Sequence, residues 1–167
     1  MKKIFTLALA TVIVFAVNAQ DKKKSSSDKS FTFGVGPSLS FPIGDMGLFY
    51  SFGYGAEAQA TYHASESFNA FAQVGYNNFS VKSSVGSGST GFIPFLVGGR
   101  YVSNGFTAGA GIGYGSFSGG GASSGGFAYS PQIGYSFNNV QVLAHYTGVS
   151  ASGGSNSFIG VKAFYNF

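Results

Sequence analysis

The chain has 167 residues, of which 8% are charged and 17% aromatic, so intrinsic disorder, which needs high charge and few aromatic residues, is excluded. The net charge of +4 does not indicate nucleic-acid binding, because after residue 30 only the scattered Lys82, Arg100 and Lys162 are basic. The absence of cysteine excludes disulfides and thiolate metal sites.

The first segment, residues 1–19, has two lysines, an apolar stretch over 4–17 and small residues before Gln20. These are the parts of a signal peptide that is cleaved after Ala19, and the apolar stretch is shorter than the roughly 20 residues of a membrane-spanning helix. Residues 20–30 are polar and repetitive, which predicts a flexible leader. One domain is predicted over the rest, 31–167.

Strand periodicity begins at Phe31, where apolar residues start to recur at every second position and no stretch keeps a helical period. Cutting the sequence at clusters of Gly, Ser and Asn gives eight strands, each close to the length of a tilted membrane-crossing strand. The predicted strands are 31–41, 52–63, 68–79, 92–102, 106–116, 127–137, 140–149 and 158–167.

The predicted connections alternate between short and long. The short ones are 64–67, 103–105 and 138–139, and the longer, Gly- and Ser-rich ones are 42–51, 80–91, 117–126 and 150–157. This alternation is typical of a bacterial outer-membrane barrel with periplasmic turns and extracellular loops. The sequence therefore predicts an all-β fold, an eight-stranded antiparallel up-and-down transmembrane β-barrel, with both mature termini on the periplasmic side.

The predicted strand 52–63 shows the two faces that such a barrel needs. Its apolar face has Phe52, Tyr54 and Tyr62 with alanines between them, and the opposite face is made of glycine and polar residues. Strands 106–116 and 127–137 repeat this arrangement, with aromatic residues at both ends as in the interfacial girdles of membrane barrels. A secreted β-sandwich is the alternative, but its polar face should carry more charge than this one.

Charged side chains inside the predicted strands all fall on the inward face. We expect an ion pair between Glu57 and Lys162, with Arg100 as a further member deeper in the lumen. This cluster either neutralises buried charge or acts as an ion gate. The predicted lumenal polar cluster is Glu57, Gln59, His63, Arg100, His145 and Lys162. The apolar side chains expected to fill the remaining lumen are Phe71, Leu96, Leu143, Phe158 and Phe164.

Catalysis by His63 or His145 would need a nucleophile and an orienting carboxylate within reach, and the pattern places no nucleophile there. A non-enzymatic protein without cofactor or metal is therefore predicted. The alternating glycines of 109–115 lack the spacing of a dinucleotide fingerprint, and we interpret them as small lumenal residues that let the sheet bend.

Strand number, loop alternation and the ending AFYNF resemble the small eight-stranded outer-membrane proteins of Gram-negative bacteria, the OmpA/OmpX-like β-barrel domain. The resemblance covers 31–167 and implies a monomer surrounded by outer-membrane lipid. In that family the barrel assembly machinery reads a terminal Phe preceded by alternating apolar residues, and Tyr165 and Phe167 match this pattern. No peptidoglycan-binding domain like that of OmpA follows, so cell-wall tethering is not expected.

The expected role is membrane integrity or surface interaction, with a narrow pore for ions or small solutes as one alternative and a secreted or surface β-rich adhesin as another. The long loops 80–91 and 117–126 are small and almost uncharged, which predicts hydrated spacers. Only the loop 42–51 has apolar side chains that could anchor a surface interaction, and the same side chains could instead form the upper aromatic girdle. These anchors are Met46, Leu48, Phe49 and Tyr50.

Overall fold

A closed antiparallel barrel is formed by the residues that the computed structural model describes, 31–151 and 154–167. Its elements are β1 (Phe31–Ile43), a short helix α1 (Met46–Phe49), β2 (Tyr50–His63), β3 (Phe68–Val81), β4 (Ser89–Ser103), β5 (Phe106–Gly119), β6 (Ala122–Phe137), β7 (Val140–Ala151) and β8 (Gly154–Asn166). Each strand pairs with its neighbours in sequence, and β1 pairs with β8 to close the sheet. The predicted eight-stranded barrel is confirmed.

The predicted signal peptide, 1–19, and leader, 20–30, lie outside the described residues. Within the described ranges, no helix is long and apolar enough to cross a membrane. Closure of the sheet extends to the last residue, because Phe167 donates its backbone N–H to the Phe33 carbonyl over 2.8 Å and accepts from the Phe33 N–H over 3.2 Å. We call the end of the barrel that holds Phe31 and Phe167 the terminal end, and the opposite end the mouth.

Tight turns close the hairpins at the terminal end, as the sequence predicts. Asn104 and Gly105 join β4 to β5 with φ values of 49° and 84°, the pair of positive φ angles that a type I′ turn requires. Asn138, with φ 52°, begins the turn between β6 and β7. Asparagine and glycine tolerate this backbone region better than other residues.

At the mouth, the strands are longer than predicted and the loops are shorter. The predicted loop 117–126 is wrong in extent, since β5 and β6 stay paired up to Gly119 and Ala122 and leave only Gly120 and Gly121 as the turn. β7 likewise runs to Ala151 and β8 starts at Gly154. Serine and glycine have no side chain that opposes pairing, so the ladder continues beyond the apolar stretch that the prediction used. The predicted strict alternation of short and long connections therefore does not hold.

Side chains alternate between the outer surface and the lumen, as the two-residue period predicts. Along β6, Phe127 and Tyr135 are 54% and 51% exposed, whereas Ala128 and Ser130 are completely buried. Exposed aromatic rings form two belts around the barrel, separated by smaller apolar side chains. The belt at the terminal end contains Phe31, Phe68, Tyr101, Phe106, Tyr135, Phe137, Tyr165 and Phe167, and the belt toward the mouth contains Phe41, Phe52, Tyr54, Tyr76, Tyr114, Phe127 and Tyr129.

Inward-facing glycines let neighbouring strands of the barrel approach each other closely. At Gly98, Gly109 and Gly113 an added Cβ would overlap a carbonyl oxygen of the neighbouring strand. The same overlap occurs at Gly36, Gly55, Gly126, Gly134 and Gly160. These positions agree with the interpretation of the alternating glycines in 109–115 as sites where the sheet bends, since only glycine leaves room for the neighbouring backbone there.

Prolines lie in the middle of three strands and interrupt one ladder each. Pairing of β1 with β8 skips the residues around Pro37, although Pro37 still lies opposite Ala56 of β2. Pro94 interrupts the β3–β4 ladder and Pro131 the β6–β7 ladder in the same way. Proline has no N–H to donate, so each of these strands keeps full pairing on one side only.

We expect Gly113→Val to reduce folding strongly, because its Cβ would overlap the Phe95 carbonyl oxygen of β4 and push the two strands apart. Overpacking typically costs about 1–3 kcal/mol, and the opposing atom here belongs to the backbone, which cannot move aside by rotating a side chain. The measurement is the folded fraction after refolding into detergent, read from the mobility shift on boiling in SDS electrophoresis. Ala110→Val, on the exposed face of the same strand, is the matched control and should fold like the wild type. Equal folding of both variants would contradict this account.

Candidate functional site

Polar side chains cross the lumen in its half nearer the terminal end. We call this set the glutamine network: Arg100 with Gln59, Gln73, Gln132 and Gln141. Its members come from β2, β3, β4, β6 and β7, so they connect strands on opposite sides of the barrel. All five side chains are buried, and the inward phase that the sequence assigned to Gln59 and Arg100 is the one observed.

Arg100 is held by amide oxygens and an aromatic ring. Its Nη2 donates to Gln132 Oε1 over 2.7 Å, and its Nη1 donates to Gln59 Oε1 over 3.0 Å and to Gln141 Oε1 over 3.3 Å. The guanidinium carbon lies 3.9 Å from the centroid of the Phe71 ring, a cation–π geometry. The expected participation of Arg100 in the carboxylate pair is wrong, because the glutamine oxygens around it take all its observed hydrogen bonds.

Glu57 and Lys162 form a buried ion pair above the glutamine network. Lys162 Nζ lies 2.8 Å from Glu57 Oε2, and both side chains are almost fully buried. Asn77 Nδ2 approaches the other carboxylate oxygen at 3.5 Å, and Ser38 Oγ donates to Asn77 Oδ1. The pair joins β2 to β8 across β1, and among the described residues it is the one salt bridge within 4 Å.

The two histidines occupy different environments. His63 lies near the terminal end, where its ring nitrogens contact Thr32 Oγ1 at 2.8 Å and Asn69 Oδ1 at 3.1 Å. His145 is buried beside Phe158, with Nδ1 3.1 Å from Thr147 Oγ1 and with Nε2 lacking a hydrogen-bond partner. In the part of the chain that the structure describes, no three His, Asp or Glu side chains are grouped to hold a metal ion.

Apolar side chains fill the lumen below the mouth. We call them the aromatic plug: Met46, Phe79, Phe92, Phe117 and Phe158. The rings pack tightly, with centroids 4.5 Å apart for Phe92 and Phe117, 5.1 Å for Phe79 and Phe158, and 5.3 Å for Phe92 and Phe158. The other side chains predicted to fill the lumen, Phe71, Leu96, Leu143 and Phe164, are also buried.

Helix α1 folds the predicted loop 42–51 over the rim and places Met46 inside the plug. Lys82 fixes the helix from the end of β3, since its Nζ donates to the Gly47 carbonyl and its backbone N–H donates to the Phe49 carbonyl. Tyr50 packs against the plug, and its hydroxyl lies 2.8 Å from Thr90 Oγ1. Of the apolar side chains in this loop, Met46 is therefore buried, whereas Leu48 and Phe49 are exposed.

Several lumenal residues are not part of the predicted polar cluster. Gln73, Gln132 and Gln141 share the inward phase of their strands, so their parity could have identified them as partners of Arg100. Phe117 could not be found in this way, because it was assigned to a loop. Tyr165 and Phe167 lie on the outer surface of the terminal end, 57% and 40% exposed, within the aromatic belt there.

Neither a protein-family model nor a curated protein matches this sequence. Solved structures do match in fold, and three of them each align with 84% of this chain over the whole of their own length. Ail, the attachment invasion locus protein of Yersinia pestis, has a TM-score of 0.60 at 15% identity. The N-terminal β-barrel domain of Pseudomonas aeruginosa OprF has 0.58 at 11%, and Neisserial surface protein A (NspA) has 0.51 at 15%. The chain therefore has the fold of the small eight-stranded outer-membrane β-barrels.

Proposed function

We propose that this protein is an integral outer-membrane barrel of a Gram-negative bacterium, surrounded by lipid as a monomer, with no nucleic-acid partner and both mature termini in the periplasm. Its role is non-enzymatic and lies in membrane integrity or in interactions at the cell surface. One observation carries the proposal: the closed sheet exposes a continuous apolar surface between two aromatic belts while its polar side chains face inward.

The exposed apolar surface supports a membrane location over a secreted, soluble adhesin. Val35, Val97 and Ile112 are all close to half exposed between the two aromatic belts. A soluble protein rarely leaves so large an apolar area in contact with water. A bilayer removes this cost, and the aromatic belts match the two interfaces of its hydrocarbon layer.

The filled lumen supports a structural role over a narrow pore. Eight strands leave an interior just wide enough for side chains, and here the aromatic plug occupies the mouth side while the glutamine network crosses the terminal side. A solute would have to displace both. The Glu57–Lys162 pair lies between them, which fits neutralisation of buried charge better than gating.

The surroundings of His145 support the absence of enzymatic activity. Its nearest hydroxyl, Thr147 Oγ1, is itself hydrogen-bonded to Ser130 Oγ at 3.0 Å, and no carboxylate of the described residues hydrogen-bonds to the imidazole to orient it. The imidazole is also buried and packs edge-on against Phe158 of the aromatic plug. A nucleophile, an oriented base and access are all needed for covalent catalysis.

Surface interaction would depend on the hairpins that project from the mouth. Ail is described as an attachment invasion locus protein and NspA as a surface protein, which is compatible with such a role for this fold. In the present chain the β5–β6 hairpin continues beyond the belt aromatics Tyr114 and Phe127 as paired strands rich in Ser and Gly. This paired projection would present hydroxyl and backbone groups to the exterior.

Membrane insertion is tested with arginine placed at two depths on one strand. The wild type should fractionate with outer membranes and shift in mobility on boiling in SDS. Ala110→Arg should lower stability by about 2–4 kcal/mol because its charge would face the hydrocarbon midplane, whereas Ser118→Arg, beyond the aromatic belt on the same face, should cost about 0–1 kcal/mol. The measurement is urea unfolding of the barrel in lipid vesicles. Equal costs at both depths, or a wild type that is soluble and folded without detergent, would count against the proposal.

The neutralising role of Glu57 and Lys162 is tested with a double-mutant cycle. Glu57→Gln and Lys162→Met should each destabilise the barrel by about 3–5 kcal/mol, because each leaves the partner charge buried and unpaired, and the double variant should cost clearly less than their sum. Unfolding in urea gives these free energies. Planar-bilayer recordings provide the second readout, and all three variants should stay as non-conducting as the wild type because the aromatic plug is intact. Conductance that appears with either single change would favour the ion gate.

A role of Tyr165 and Phe167 in recognition by the barrel assembly machinery is proposed from the family resemblance and is tested at the last residue. Phe167→Ala keeps the backbone hydrogen bonds to Phe33 and removes only the ring. We expect insertion in cells to fall several-fold, while refolding of the purified protein into detergent stays close to wild type. Phe137→Ala removes another exposed ring of the same belt and should affect neither measurement. Equal behaviour of the two variants in cells would show that the terminal ring is not a signal.

A further inference from the structure

A cavity of about 220 Å³ opens at the mouth, directly above the aromatic plug. We call it the mouth pocket. Met46 and Phe117 form its floor, Tyr50 and Thr90 one side, and the upper ends of β5, β6 and β8 the other sides. Ser124 and Asn156 line it from β6 and β8, and both share the inward phase of their strands with Ala128 and Phe158.

The polar groups of the mouth pocket are neutral and mostly free to bind a ligand. The Tyr50 and Thr90 hydroxyls lie 2.8 Å from each other, which leaves further lone pairs on both oxygens. The side chains of Ser124 and Asn156 have no hydrogen-bond partner among the described residues. No charged side chain of the described ranges lines the pocket.

The upper end of the β5–β6 hairpin forms one side of the mouth pocket. β6 begins at Ala122 but pairs with β7 only from Gly126 onward. Residues 122–125 therefore have β5 as their one neighbouring strand within the described part of the chain.

We propose that the mouth pocket binds one neutral sugar unit of a glycan. Hydroxyls and an amide around an apolar floor match a pyranose ring, which has hydroxyl groups at its edge and a face of C–H bonds. A small number of placed polar groups over an apolar surface is the usual construction of a small-molecule site. Phosphate or sulfate groups would find no cation among the described residues that line it.

This inference rests on the proposed function in one respect, because the mouth must face the cell exterior to meet a glycan. Such a sugar could belong to a glycan outside the cell or to a glycolipid in the same membrane. Both sources present the same hydroxyl chemistry to the mouth pocket. A soluble glycoside can stand in for a glycan outside the cell, whereas the sugar of a glycolipid would reach the mouth pocket only from the membrane.

The test is calorimetric titration of the full-length folded barrel, in a detergent without a sugar head group, with the methyl glycosides of neutral hexoses and N-acetylhexosamines. We expect saturable binding with a Kd near 1 mM or tighter for at least one sugar, which is about 4 kcal/mol of binding free energy. Asn156→Leu should weaken it about 10-fold, since the amide would no longer hydrogen-bond to the sugar, and tenfold in Kd is about 1.4 kcal/mol. Ser124→Ala should also weaken binding. This second variant keeps the test decisive if Asn156→Leu does not fold.

Matched controls make the same chemical changes on the outer face. Asn78→Leu and Ser116→Ala alter side chains that point away from the lumen and should leave the Kd unchanged.

If soluble glycosides do not bind, the titration is repeated in vesicles that contain a glycolipid with the same sugars, and binding there supports the membrane source. Absence of binding in both formats overturns the proposal. So does equal weakening by the inner and outer variants, or tighter binding of a polysulfated sugar that is lost in Lys82→Ala.

The mobility shift on boiling separates this inference from the proposed function. A barrel that shifts on boiling and inserts into membranes but binds no neutral sugar overturns the mouth pocket alone. A chain that folds in micelles and binds sugar but does not enter membranes overturns the proposed location and leaves the pocket standing.

Discussion

Closure of an eight-stranded sheet is the constraint on which the rest of this structure depends. In an apolar surrounding, each backbone N–H and C=O without a partner costs several kcal/mol, so the sheet can have no free edge and β1 must meet β8. Closure at eight strands then fixes a narrow interior that side chains have to fill. Inward glycines such as Gly98 and Gly113 follow from the same constraint, because the tightly curved wall leaves no room for a Cβ there.

A narrow interior also determines how the charges are arranged. Lys162 and Glu57 can stay buried because each is the other's counterion at 2.8 Å. Arg100 has no carboxylate of the described residues within salt-bridge distance. Its guanidinium instead contacts the side-chain oxygens of three glutamines and the face of the Phe71 ring. The glutamine network thus serves two purposes, since it accepts hydrogen bonds from both terminal nitrogens of the guanidinium and connects strands across the lumen. Removing any of these side chains would leave a buried polar group that water reaches poorly.

Sequence periodicity predicted the part of the fold between the two aromatic belts, because only there does the contrast between apolar and polar positions mark both faces of a strand. It assigned Glu57, Arg100 and Lys162 to the lumen correctly for this reason. Beyond the aromatic belt toward the mouth, β5 and β6 are mostly Ser and Gly on both faces, with Phe117 and Ala122 as exceptions, so the contrast is weak and the strand ends could not be placed. The buried position of Met46 depends on packing of α1 against the barrel, which no local pattern records.

The aromatic plug divides the molecule into two parts with different solvent access. Phe79, Phe92, Phe117 and Phe158 lie between the Glu57–Lys162 pair and the mouth, so the buried charges are separated from the exterior by a layer of packed rings. Because α1 and Lys82 hold Met46 in that layer, the plug is tied to the end of β3 and is not a free loop. The lumenal charges can therefore stabilise the barrel without contacting a ligand. The neutral groups of Tyr50, Thr90 and Asn156 lie above the plug, where they line the cavity at the mouth.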